Sequence, residues 1–212
     1  MSVPRRLALA LAIASTAILI SACGGSDEPQ DANEPSGEFV VEVTKAKLDK
    51  DQRLAETSDL VLAVRNAGTE TLPELAFTIY TDDGTANGSF MVRSEQPGLA
   101  IPSRPVWVLE NKYPRFVGAP PPKGLSGGFR AQTNTFGFGP LEPGETKSVV
   151  WRLTPVQAGT YTLTYIVEAG LDGNARAVTT DGEQVEGAFI VKITDAPAKA
   201  RVNNQGEVVT EE

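Results

Sequence analysis

Apolar and polar residues alternate with a period of two along most of the chain, and no window carries a convincing apolar stripe at the 3.6-residue helical spacing. Phe39, Val41 and Val43 alternate with Glu42 and Thr44; Leu60, Leu62 and Val64 make a second run; Leu75, Phe77 and Ile79 make a third. Further on, Val149, Trp151 and Leu153 form a strand pattern, as do Tyr161, Leu163, Tyr165 and Val167, and then Phe189, Val191 and Ile193. Each run puts one face into a core. Between them lie a polar stretch from Asp49 to Ser58, the turn Asn66-Ala67-Gly68, Asp82-Asp83-Gly84, and the hairpin signal Asp172-Gly173 with a short return strand over 175–178. The pattern predicts an all-β domain over 39–195, built as a β-sandwich of two packed sheets.

Residues 85–140 interrupt this frame. Connections in compact domains run to about two to six residues, so the segment is a long central insertion with structure of its own. Phe90–Val92 and Pro105–Leu109 read as added strands. From Asn111 to Gly139 the chain is rich in Pro, Gly and aromatic residues: Tyr113, Phe116, Phe129, Phe136 and Phe138, with Arg115 and Arg130 (and Lys112 and Lys123) making it the most basic stretch of an acidic domain. These side chains are the candidate binding surface, aimed at an anionic lipid, wall polymer or acidic partner. The alternative is that the rings fold back and cap one end of the sandwich.

The first 22 residues have a different layout. Arg5 and Arg6 precede an almost wholly apolar run from Leu7 to Ile20, and Ser21 and Ala22 are small. This is a secretory signal, with an apolar helix shorter than the roughly 20 residues that span a bilayer. The stretch Leu19-Ile20-Ser21-Ala22-Cys23 resembles the bacterial lipobox, which implies acylation of the Cys23 sulfur, cleavage after Ala22 and a lipid-anchored protein on the extracytoplasmic face of a cell membrane. Residues 23–38 follow as a lipidated cysteine and a tether, GGSDEPQDANEPSGE, whose five acids and two prolines offer nothing to bury. Fully extended it reaches about 50 Å. At the other end, residues 196–212 are polar without an apolar face, which predicts a disordered or frayed tail.

Two further stretches, LVLAVRNAGTETLPELAFTIYTDDG (Leu60 to Gly84) and LEPGETKSVVWRLTPVQAGTYTLTYIVEAG (Leu141 to Gly170), resemble the immunoglobulin-like, CARDB-like modules of bacterial surface proteins. The resemblance spans about 55 of the 212 residues and implies an immunoglobulin-like β-sandwich, with Tyr161 at the position of a tyrosine corner. The segment TTDGEQVEGAFIVKIT also resembles the last strands of periplasmic copper-binding sandwiches, but Glu183 stands where their histidine would be.

Composition narrows the chemistry. The chain has no histidine, so the usual general base near neutral pH and the commonest metal-binding nitrogen are missing, and methionine occurs only at Met1 and Met91. Cys23 is the one cysteine, which rules out an internal disulfide. Net charge is −8, and loss of Arg5 and Arg6 with the signal brings it to −10, which argues against nucleic acid as a partner. Gly124-Leu125-Ser126-Gly127-Gly128 matches the nucleophile-elbow spacing without a histidine to serve it, and Asp82, Asp83 and Asn87 lack the ligand spacing of a calcium loop. The sequence therefore predicts a non-enzymatic, cofactor-free, metal-free binding or interaction module, tethered to the membrane through its N-terminal lipid and recognising an envelope protein or polymer. The alternative is a structural or accessory component of a cell-envelope complex.

Overall fold

The computed structural model describes residues 35–81, 90–92, 105–118, 129–132, 134–195, 199–206 and 208–211. The signal segment, Cys23 and most of the tether lie outside the described residues, as do Gly124–Gly128 and the Asp82, Asp83, Asn87 group.

The domain is an immunoglobulin-like β-sandwich. Its first sheet holds β1 (Gly37–Lys47), β3 (Ser58–Asn66), β5 (Phe90–Val92), β6 (Trp107–Leu109), β7 (Arg115–Phe116), β10 (Thr146–Pro155) and β12 (Ala175–Val178). The order is β12-β1-β3-β10-β6-β5, with β7 also on β10. The second sheet runs β2-β13-β11-β4-β9-β8, from β2 (Asp51–Arg53), β4 (Ala76–Thr81), β8 (Phe129–Gln132), β9 (Thr135–Gly137), β11 (Gly159–Glu168) and β13 (Glu186–Thr194).

The alternation explains the layering. Leu60, Leu62 and Val64 on β3 and Val149, Trp151 and Leu153 on β10 are buried against Phe77 and Ile79 on β4 and Leu163, Tyr165 and Val167 on β11. Trp151 lies at the centre, edge-on to Phe77 (5.3 Å between centroids), Phe138 (5.7 Å) and Phe136 (6.2 Å). From β1 to β4 and from β9 to β13, consecutive strands alternate between the two sheets. β3 reaches β4 through a turn in which Asn66, 1% exposed, donates to the carbonyls of Glu70 and Leu141 (both 2.8 Å) and accepts from the Gly68 amide (2.9 Å).

The central insertion does not stand apart from this frame. Its described parts complete both sheets: β5, β6 and β7 extend the first and β8 and β9 the second. The polar stretch Asp49–Ser58, expected as a plain connection, contains β2, which pairs in parallel with β13. The tail, read as disordered or as a frayed short element, carries two short strands. β14 (Lys199–Val202) and β15 (Val208–Glu211) pair as an antiparallel hairpin. A polar turn makes this possible without an apolar face: the Gln205 amide donates to Asn203 Oδ1 at 2.9 Å, and Gly206 takes φ +83°.

Candidate binding groove

The outer face of the first sheet owes its character to one irregularity. Along β1, Phe39 and Val41 are buried and Val43 packs on the core, so unbroken alternation would aim Lys45 and Lys47 at the core too. Between Val43 and Lys45 the register with β3 shifts. Lys45 and Lys47 then pair with Ala63 and Val61, and both lysines are exposed.

Next to them, Asp59 on β3 faces Arg152 on β10 in register. Arg152 grips the carboxylate with both arms of its guanidinium, Nε to Oδ1 at 2.9 Å and a terminal nitrogen to Oδ2 at 3.1 Å. The two side chains are 43% and 40% exposed, so the pair contributes at most about 1 kcal/mol. Its value is positional. The hydrogen bond to Asp59 is the main cause that raises the pKa of Arg152, against a smaller desolvation effect.

A tight bend supplies the third wall. After β6 the Tyr113 amide donates to the Glu110 carbonyl (3.2 Å), Lys112 takes φ +70°, and Tyr113-Pro114 is a cis peptide. Tyr113 is buried, with the Arg115 guanidinium 4.5 Å and that of Arg152 5.1 Å from its ring centroid. The result is an open groove of about 780 Å³ between Lys45, Lys47, Thr57, Asn111, Tyr113 and Arg152, with carboxylates from Asp49, Asp59 and Glu110. Asp59 is held by Arg152, and Glu110 accepts from Thr154 Oγ1 at 3.1 Å.

A smaller hollow of about 310 Å³ is lined by Glu168, Arg176 and Gln184 among others. Glu168 accepts from Thr78 Oγ1 (3.1 Å), which in turn lies 2.9 Å from Thr135 Oγ1. Burial raises the Glu168 pKa above its ordinary value, partly offset by the Thr78 hydrogen bond.

The structure separates the aromatic candidates. Tyr113 lines the groove, and Arg115 lies over its ring. Phe136 and Phe138 are 2% and 5% exposed and Phe116 packs on the core, 5.7 Å edge-on to Phe138. The two buried rings present no surface to a partner; they fill the space beside Trp151, as capping rings do. Phe129 and Arg130 fall on β8, opposite Gly137 and Phe136, and their side chains lie outside the description. Tyr161 Oη donates to the Ala158 carbonyl at 3.0 Å, the backward bond of a tyrosine corner. Glu183 sits in an exposed turn, its amide bonded to Thr179 Oγ1 at 3.2 Å. Lys45, Lys47, Asp59 and Arg152 were not singled out by the sequence.

No family model and no curated protein matches the chain. Among solved structures it is similar to the CARDB domain of the PF1109 protein from Pyrococcus furiosus, crystallised in complex with di-metal ions, at 15% identity over 76% of this chain and 90% of that one, with a TM-score of 0.40. The solution structure of the same domain gives 14%, 74%, 98% and 0.40. A β-glucosidase from Listeria innocua in complex with glucose gives 16% identity over 75% of this chain and 16% of that one, with a TM-score of 0.38. The assignment of the sandwich rests on the strand pairing described above.

Proposed function

We propose that the chain is a lipid-anchored, extracytoplasmic, non-enzymatic binding module, and that the groove beside Tyr113 is its binding surface. The observation that carries this reading is the fixed wall of the groove: Arg152 is held at once by Asp59 and by the ring of Tyr113, while Lys45 and Lys47 have no ion-pair partner among the described residues. Rigid polar walls around an open volume favour recognition, because little side-chain freedom is lost on binding. The lipobox resemblance at Cys23 supports placement at the membrane, with the partner an envelope protein or polymer.

The test is crosslinking in cells followed by mass spectrometry of the membranes, comparing the intact chain with Thr57→Trp and Asn111→Trp. Both positions line the groove and are solvent-exposed, so the indole fills the groove without disturbing the core. Loss of specific partners in both variants is expected. An unchanged partner list overturns the assignment of the groove.

A further inference from the structure

We infer that the open edge of β13 is a self-association site, where a second copy of this chain adds its own β13 in antiparallel register about a two-fold axis at Ala188. The edge belongs to the second sheet, not to the groove on the first, and the inference is independent of what the groove binds.

The backbone exposes the edge. The Val185 carbonyl accepts from the Val167 amide on β11 at 2.8 Å, whereas the Lys192 amide donates to the Lys50 carbonyl at 2.7 Å and the Thr194 carbonyl accepts from the Leu54 amide at 3.1 Å. The amide and carbonyl of one strand residue point to the same side, and the side alternates along the strand. Even-numbered residues of β13 therefore turn these groups away from β11. β2 takes up those from Lys192 onward. Those of Glu186, Ala188 and Ile190 face no strand among the described residues. Open edges are ordinarily blunted by a charge, a proline or a bulge. From Gly187 to Val191 this one has none of them, and Ile190 is 67% exposed.

The register makes a second copy the occupant. With Ala188 opposite Ala188, the free groups pair as Glu186 with Ile190, Ala188 with Ala188 and Ile190 with Glu186, two backbone hydrogen bonds to each pair. Lys192 of one copy then faces Gln184 of the other. Gln184 is bridged to Val178 on the first sheet, so the chain has left the slot that β2 fills.

Side chains and charges fit the same register. Gly187, with no side chain, falls opposite Phe189 of the second copy on the inward face, and the stem of Glu186 falls opposite Ile190 on the outward face. Residues 50–53 and 192–195 hold Lys50, Arg53 and Lys192 against Asp51 and Asp195, whereas residues 179–188 hold Asp181, Glu183 and Glu186 and no cation. The two-fold axis lays the positive end of each edge beside the negative end of the other, with Lys192 diagonal to Glu186 across the junction.

The test uses the full chain in dodecyl maltoside, with micelles in large excess so that two copies do not share one by chance. Ala188→Cys brings two Cα atoms to about 5.5 Å across the axis and is treated with a short bismaleimide. Thr160→Cys, exposed on the neighbouring β11, is the comparison. A covalent dimer is expected from Ala188→Cys, and from Thr160→Cys none above the background of the intact chain. Association, read by energy transfer between separately labelled copies, should weaken about five-fold in Glu186→Lys and recover in Glu186→Lys/Lys192→Glu. Ala188→Pro removes an amide that no strand of its own copy uses, so it should keep the urea midpoint and stay monomeric. Should that variant fail to fold, the charge exchange decides. Monomers at every concentration, equal crosslinking at Thr160→Cys, or no recovery on charge exchange overturns the assignment. A monomeric chain whose Ala188→Cys crosslinks in cells to a different protein overturns it too, and gives the edge to a foreign strand.

Discussion

Trp107 Nε1 on the first sheet donates a 2.9 Å hydrogen bond to Gln52 Oε1 on the second, and both side chains are buried. The other end of Gln52 donates from Nε2 to the Asp49 carbonyl at 2.8 Å. One amide thus ties β6 to β2 through the interior. Gln52→Ala strands a buried indole donor and should cost about 1–3 kcal/mol, read as a lower urea midpoint. An unchanged midpoint would show that the indole finds another acceptor.

Gly187 on β13 lies opposite Tyr165 on β11, and a Cβ at Gly187 would fall on the ring of Tyr165, which is 6% exposed and packed on Phe189. Such a ring covers the bare backbone of its cross-strand neighbour. Gly187→Val forces the ring out of its place and should destabilise by about 1–3 kcal/mol, measured by thermal or urea unfolding. Gly182→Ala is the comparison: there a Cβ meets nothing within 4 Å, and only the φ of +79° opposes it.

Glu168 gives a pH signature of known sign. Its folded pKa is raised, so the native state binds this proton more tightly than the unfolded chain. The stability it contributes is full below the unfolded value and is lost as pH rises through the folded one. Glu168→Gln keeps an acceptor for Thr78 without the buried charge. It should therefore raise the melting temperature at neutral pH and lose that advantage as pH falls through the carboxylate range. A constant difference between the two proteins across that range would place the effect elsewhere.

Cys23→Ser removes the sulfur that the lipobox resemblance marks for acylation. The variant is expected to lose thioether-linked diacylglycerol by mass spectrometry of the N-terminal peptide and to leave the detergent phase in a phase-partition assay. Retention in that phase by the variant would assign the membrane association to another segment.

Much of the sandwich can be read from Val149, Trp151 and Leu153 or from Phe189, Val191 and Ile193, because half-buried strands advertise themselves by alternation. β2 is invisible to that reasoning. Asp51, Gln52 and Arg53 look like a loop, and Gln52 is buried only because Trp107, 55 residues away, needs an acceptor. The groove was hidden for a related reason. Val43 followed by Lys45 and Lys47 breaks the alternation visibly, yet where those lysines go depends on a register shift against β3 that only pairing reveals. Phe136 and Phe138 misled in the opposite sense: among glycines and prolines they look like loop residues, but β9 delivers them to Trp151.

The pairing of β1 with β12 also constrains when the domain takes shape. Gly37 to Val40 are seated in parallel against Ala175 to Val178, and Val41 to Lys47 against β3. The opening strand therefore meets one of its two neighbours only after most of the chain has been made. Contacts of such long sequence separation form slowly. A chain with this wiring cannot seat the start of its opening strand until its far end arrives.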